Sequence, residues 1–164
     1  MDFFTRPAVS VLFVCTANIC RSPMAEAVLR EELKLARLHR RVSIDSAGTN
    51  ATQPGHPSDG RARQVCAREG IDLRKSRARQ VVDQDFSRFD YLLALDSSNR
   101  DWLRGACPRE HIERISLLGD WARPTPVGDI PDPYYGSMTG FEEVLALLHR
   151  SIDGFLVHLT DRLQ

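Results

Sequence analysis

The 164-residue chain carries no net charge, because 22 Lys and Arg balance 22 Asp and Glu. A strong excess of one sign would have pointed to nucleic acid or an anionic membrane surface, so neither is an expected partner. No apolar run approaches the ~18 residues that span a bilayer. The opening Met1 to Pro7 carries Asp2 and Arg6 and has no apolar core of the kind a signal peptide needs. Cys15, Cys20, Cys66 and Cys107 show no zinc-ribbon spacing, and a disulfide framework is not expected in a chain of this length. A reducing cytoplasm is the expected compartment. His39, His56, His111, His149 and His158 form no ligand spacing and read as surface or packing residues. No metal or cofactor is expected. Repeats, linkers and low-complexity tracts are missing too, so residues 1–164 read as one domain with its core at about 9–163.

What is present alternates between strand-like and helix-like segments. Strands are expected over residues 9–14, 41–46, 89–95 and 112–118, the third apolar enough to be buried on both faces. Helices are expected over 22–38 (Ser22 as cap, Pro23 in the first turn, Glu26 near the positive end of the dipole), 58–69 (stopped by Gly70), 97–105, and 138–163 with Thr139 as cap. Residues 49–57 and the proline-rich 123–135 read as loops, and the basic stretch 71–84 is ambiguous. The clusters 37–41 and 74–79 read as solvated charge, and Trp102 and Trp121 as packed against helices. Alternating β and α elements imply a parallel sheet with helices on both faces, a three-layer α/β/α architecture. Ligands of such sheets bind beyond the carboxyl ends of the strands, where Cys15 stands.

The run VSVLFV ends at Cys15, and Arg21-Ser22-Pro23 stands six positions on, before a helix-forming sequence. A thiol at the exit of a buried strand therefore sits on a loop that turns into a helix N-terminus. Backbone N–H groups of such a loop converge on one spot, and the helix dipole adds its positive end. Cys15, Thr16, Ala17, Asn18, Ile19, Cys20 and Arg21 thus form a candidate oxyanion cradle with a nucleophile at its floor. The helix end and the neighbouring cation both favour a thiolate. The planar fork of Arg21 holds two phosphoryl oxygens at once and suits charge spread over equatorial oxygens. Ser22 is placed to hydrogen-bond the Cys15 sulfur, and Asn18 tolerates the positive φ a tight bend requires. The alternative is a structural cysteine ahead of an ordinary helix. A bare C-x5-R is common, and its position between a strand and a Ser-Pro helix start is what gives it meaning.

Thiolate attack on a phosphate ester needs a general acid for the leaving oxygen. Asp132, in Asp132-Pro133-Tyr134-Tyr135, is the candidate, stiffened by Pro133, with Tyr134 and Tyr135 as walls for an aromatic substrate. Asp129 is the rival acid, and a plain turn is the alternative for the whole motif.

These residues resemble the low-molecular-weight protein tyrosine phosphatase family. VLFVCTANICRSPMAE resembles its phosphate loop and first helix, DSAGT (45–49) its second-strand exit, and FDYLLALDSSN (89–99) its third strand. DPYYGSMTGFEEV (132–144) resembles its acid loop and last helix. The match runs in order from about Val9 to the C-terminus. The resemblance implies a four-stranded parallel sheet, a metal-free mechanism and a phosphocysteine on Cys15. It also implies that Asn18 and Ser46 brace the loop and that Cys20 can form a protective disulfide with Cys15. The implied substrate is a tyrosine-phosphorylated protein or small aryl phosphate, with inorganic phosphate and like oxyanions as inhibitors. The protein is expected to be a monomer, with at most weak dimerisation.

Three positions depart from the family pattern. Ala17 replaces a usual Gly and is expected to strain the loop. No aromatic wall stands around residues 51–53, and Glu69 occupies a place where some members carry a loop-bracing His. Three rival functions are weighed. An arsenate reductase of the same fold would need a close cysteine pair after the third strand, where Asp96, Ser97 and Ser98 stand. A phosphoarginine phosphatase would carry Thr in place of Ile19. A non-catalytic phosphate-binding module would not need Cys15 and Asp132 together.

Overall fold

The computed structural model describes residues 6–164, so most of the stretch read from Met1 to Pro7 lies outside them. Four strands, β1 (Val9–Cys15), β2 (Val42–Gly48), β3 (Tyr91–Ala94) and β4 (Ile115–Leu117), form one sheet in the order β2-β1-β3-β4. All three pairings are parallel. The helices are α1 (Arg21–Leu35), α2 (Gly60–Ala67), α3 (Asp83–Arg88), α4 (Ser97–Ala106) and α5 (Met138–Leu163).

Alternation along β1 builds two cores. Val9, Val11, Phe13 and Cys15 face one side, against buried residues of α1, α2 and α5. Leu12 and Val14 face the other, with Phe86 of α3, Phe89 and Leu103 of α4. Residues 92–95 are buried completely, as a strand covered on both faces must be. The chain crosses from β1 to β2 on one side and then to β3 on the other. The strand order therefore reverses at β1, and its carboxyl end opens into the switch-point crevice.

Several boundaries differ from expectation. α1 begins at Arg21, and Cys20 rather than Ser22 is its N-cap, without a side-chain cap bond. Ser22 is buried inside the first turn, its hydroxyl turned toward Cys15. Asp59 caps α2 and Asp96 caps α4, each accepting from a backbone N–H of the first turn. Ser137, not Thr139, precedes α5. The fourth strand is only three residues long, because 109–114 coil into a 3-10 turn first. Trp102 is 41% exposed on α4 rather than packed. Trp121 packs edge-on against Phe155, with centroids 5.2 Å apart. No helix among the described residues is long and apolar enough to cross a membrane.

Candidate active site

Cys15 closes β1 opposite Gly48, the last residue of β2. There the chain leaves the sheet and folds over itself. Cys15 and Thr16 carbonyls accept from the Thr49 and Asn50 amides, both at 2.9 Å. Between Thr16 and Cys20 no backbone N–H donates to a backbone carbonyl among the described residues. α1 follows with its own first turn uncapped by any side chain. A loop of unpaired amides ahead of a helix N-terminus is an anion-binding cradle.

Asn18 makes the loop's bend, with φ 59°. Ala17 does not share that conformation, so its Cβ adds no backbone strain and the expectation of a strained Ala17 is not met. Asn18 is buried, and its amide has a fixed polarity. Its Oδ1 accepts from the Arg79 backbone N–H at 2.9 Å. Its Nδ2 must then donate, to Ser22 Oγ at 2.7 Å and to Ser46 Oγ at 3.0 Å. The Ser46 hydroxyl donates in turn to Glu26 Oε2 at 2.9 Å. Ser22, already an acceptor, has one proton left, and Cys15 Sγ lies 3.0 Å from its oxygen. The geometry therefore aims a hydroxyl donor at the sulfur.

Arg21 is almost wholly buried beside the thiol. Its Nη1 donates to Asp96 at 2.6 Å and to the Ile130 carbonyl at 2.9 Å, and its Nη2 lies 3.8 Å from Asp132. Burial opposes the guanidinium's charge, but the Cys15 sulfur, Asp96 and Asp132 outweigh it and hold Arg21 protonated beyond its ordinary range. Asp96 has two tasks, since its other oxygen caps α4 through the Asn99 N–H at 2.8 Å. In the orientation that satisfies both neighbours, the Asn99 side chain donates to Asp96 at 2.9 Å and accepts from Thr16 at 3.1 Å.

A cleft of about 240 Å³ opens over the loop. Residues of the loop from Cys15 to Arg21, apart from Asn18, line it together with Asp132, Tyr134, Tyr135, Thr52 and Gln53. Asp132 Oδ1 accepts from the Tyr134 N–H at 3.1 Å, and the carboxylate is half exposed. The two tyrosine rings meet edge-on, centroids 4.9 Å apart, and Tyr135 is 94% exposed. Asp129, the rival acid, instead accepts from the Ser97 N–H and hydroxyl at 2.9 and 2.6 Å, at the start of α4. Burial, then Asp59 and Cys15, push the Cys20 thiol up, so the second loop cysteine stays neutral. Cys66 and Cys107 do not line the cleft.

Four contributors escaped the sequence. Asp96 carries a signal, a carboxylate directly after a strand and before Ser-Ser-Asn, but in the sequence it marks only the absence of a cysteine pair. Glu26 reads as a dipole partner, yet it ends the Ser46 bond. Arg79, placed with the solvated charges, is half-buried between Asp45 and Asp85, and its role at the loop is a backbone amide that no side-chain pattern reveals. Arg61 binds two carbonyls of the acid loop. Glu69 is no loop brace, since it pairs with His149 of α5 at 2.8 Å on the surface. His158 packs against Trp121 and hydrogen-bonds the Tyr91 hydroxyl at 2.8 Å. Among the described residues no group of three His, Cys, Asp or Glu is placed to hold a metal ion.

Comparison with known proteins brings in independent observations. The model of the family described as low molecular weight phosphotyrosine protein phosphatase matches residues 10–164. Bacillus subtilis YfkJ, a low molecular weight protein-tyrosine-phosphatase, is 39% identical over 152 residues, covering 92% of this chain and 96% of its own. Its crystal structure superposes with a TM-score of 0.90, at 37% identity over 98% of this chain and 99% of that one. A protein tyrosine phosphatase from Entamoeba histolytica, solved with Hepes in the active site, gives a TM-score of 0.91 at 35% identity, over 95% and 99% of the two chains. Vibrio vulnificus Wzb, solved with benzylphosphonate, gives 0.79 at 26% identity, over 90% and 97%.

Proposed function

Because the chain belongs to the low molecular weight phosphotyrosine protein phosphatase family, we propose that its cleft hydrolyses aryl phosphate monoesters by way of a phosphocysteine on Cys15. The enzyme is a protein-tyrosine phosphatase, a hydrolase of phosphoric monoesters. One observation supports the mechanism: Cys15 and Arg21 of one loop and Asp132, more than a hundred residues further along the chain, line one cleft.

The phosphoryl group sits in the cradle of amides 16–21, with Arg21 on two of its oxygens. The Cys15 thiolate's electron pair forms an S–P bond as the P–O bond to the leaving group breaks. The departing oxygen takes the pair and a proton from Asp132. Asp132, now a carboxylate, draws a proton from water. The water's oxygen then bonds to phosphorus, and the S–P pair returns to Cys15, where the Ser22 hydroxyl stabilises it. Asn18, Ser46 and Glu26 hold Ser22 in that orientation. Ile19, Tyr134 and Tyr135 give the cleft apolar walls, which supports phosphotyrosine over phosphoarginine. The reading extends to a monomer working without metal or cofactor in a reducing cytoplasm, on a tyrosine-phosphorylated protein or small aryl phosphate. Inorganic phosphate and similar oxyanions inhibit it, and a Cys15–Cys20 disulfide shields the nucleophile under oxidation.

Hydrolysis of p-nitrophenyl phosphate and of a phosphotyrosine peptide, compared between the unaltered protein, Cys15→Ser and Asp132→Ala, is the test. Cys15→Ser abolishes turnover, and Asp132→Ala lowers kcat/KM on the phosphotyrosine peptide by about a hundredfold or more, with a smaller loss on p-nitrophenyl phosphate, whose oxygen leaves more easily. Activity has an acidic optimum and is indifferent to chelators. Turnover that survives Cys15→Ser sinks the proposal.

A further inference from the structure

Beyond the residues that touch phosphate, one surface-facing side chain ties the two halves of the cleft together. Arg61, in the first turn of α2, spends its guanidinium on four hydrogen bonds. Its Nε and Nη2 reach the two oxygens of Asp59 at 3.1 and 3.0 Å, the paired geometry in which Arg and carboxylate are most strongly oriented. Its Nη1 donates to the Gly136 carbonyl at 2.9 Å, and Nη2 also donates to the Tyr134 carbonyl at 2.8 Å. The guanidinium lies over the Phe141 ring at 4.5 Å from its centroid, which fixes its plane.

Each end of this strap lands on the reaction machinery. Asp59 donates its backbone N–H to the Ile19 carbonyl in the phosphate loop at 2.8 Å. Tyr134, whose carbonyl Arg61 holds, is the residue whose N–H binds Asp132 Oδ1 at 3.1 Å. That bond leaves Asp132 Oδ2 turned toward Arg21. A continuous path therefore runs Ile19, Asp59, Arg61, Tyr134, Asp132. We propose that Arg61, braced by Asp59, is a positioning residue that sets the distance and orientation of the general-acid loop over the phosphate loop. The inference rests on the phosphatase reading above, with Asp132 as acid.

Such a role has a signature that general loosening lacks. A misplaced acid matters most when the leaving oxygen is basic and little when it leaves easily. Arg61→Met keeps an apolar stem over Phe141 and removes every donor. It is expected to lower kcat/KM, which reports the step in which the leaving oxygen departs, about tenfold or more on phenyl phosphate and about twofold on p-nitrophenyl phosphate, since misplacement on the order of an ångström costs catalysis heavily. In an Asp132→Ala background the same substitution adds nothing further, because there is no acid left to place. Asp59→Asn, which retains the cap acceptor of α2 but loses the paired charge, shifts the same substrate ratio in the same direction by less. Equal losses of kcat/KM on both substrates, or losses that multiply with Asp132→Ala, overturn the inference and leave the phosphatase reading standing. Absence of Cys15-dependent turnover in the unaltered protein overturns both.

Discussion

Gly48 sits where a methyl group has no room. A Cβ there would lie 2.5 Å from the Thr16 carbonyl oxygen and 3.2 Å from backbone atoms of Ala17 and Asn18. The obstacle is backbone, so it is the phosphate loop that must move. Gly48→Ala is expected to cost about 1–3 kcal/mol of stability. It should also lower kcat by about tenfold or more, because the nucleophile shifts with the loop. Thermal unfolding and aryl phosphate turnover measure the two losses, and unchanged turnover would refute the steric argument. Ala17 is the contrasting case, since its backbone stays out of the left-handed region and its Cβ is tolerated. At this scale the sequence named three side chains that the fold brings to one cleft: Cys15, Arg21 and Asp132 were legible from their types and their places in the chain. The Arg79 amide and the Thr16 carbonyl were not, because a backbone group carries no sequence label.

Elements were legible in kind and less so at their ends. α5 runs over the residues expected of it, Met138–Leu163. α1 and α2 start elsewhere than their Ser residues suggest, because capping is decided by which oxygen the tertiary fold brings to the open N–H groups. At α2 that oxygen belongs to Asp59, which also pairs with Arg61. Burial alone would raise the Asp59 carboxyl, but the bonds from Arg61 outweigh it and hold it below the usual range. A carboxylate whose value is lowered on folding stabilises the fold fully above its unfolded value, about pH 4. That contribution fades as pH falls through the folded value. Urea unfolding at neutral and acid pH should therefore find Asp59→Asn less stable than the unaltered protein near pH 7 and the gap narrowed near pH 3. A gap that holds constant with pH would assign the loss to packing instead of charge.

Across the whole molecule, stability and catalysis are drawn from different places. The sheet face under α1 and α5 is packed with rings, and fully buried Phe155 meets Tyr91 and Trp121 edge-on, both at 5.2 Å. Phe155→Ala is expected to cost about 3–5 kcal/mol, lowering Tm on the order of 10 °C. Well below that Tm, KM for an aryl phosphate should be unchanged, and a changed KM would mean that the core and the cleft are coupled. The three-layer architecture was legible because alternating segments with apolar strands allow few other arrangements. Charge at this scale leads to a last point about Arg21. A molecule with no net charge offers anions little long-range attraction, so discrimination falls to the cleft itself. There the buried guanidinium already holds Asp96 as its own counter-ion. An arriving oxyanion does not fill a bare positive hole. In the mechanism proposed above it must take over a cation already shared with a carboxylate, an exchange that favours a dianion able to bridge Arg21 and the loop amides over a monovalent ion that cannot.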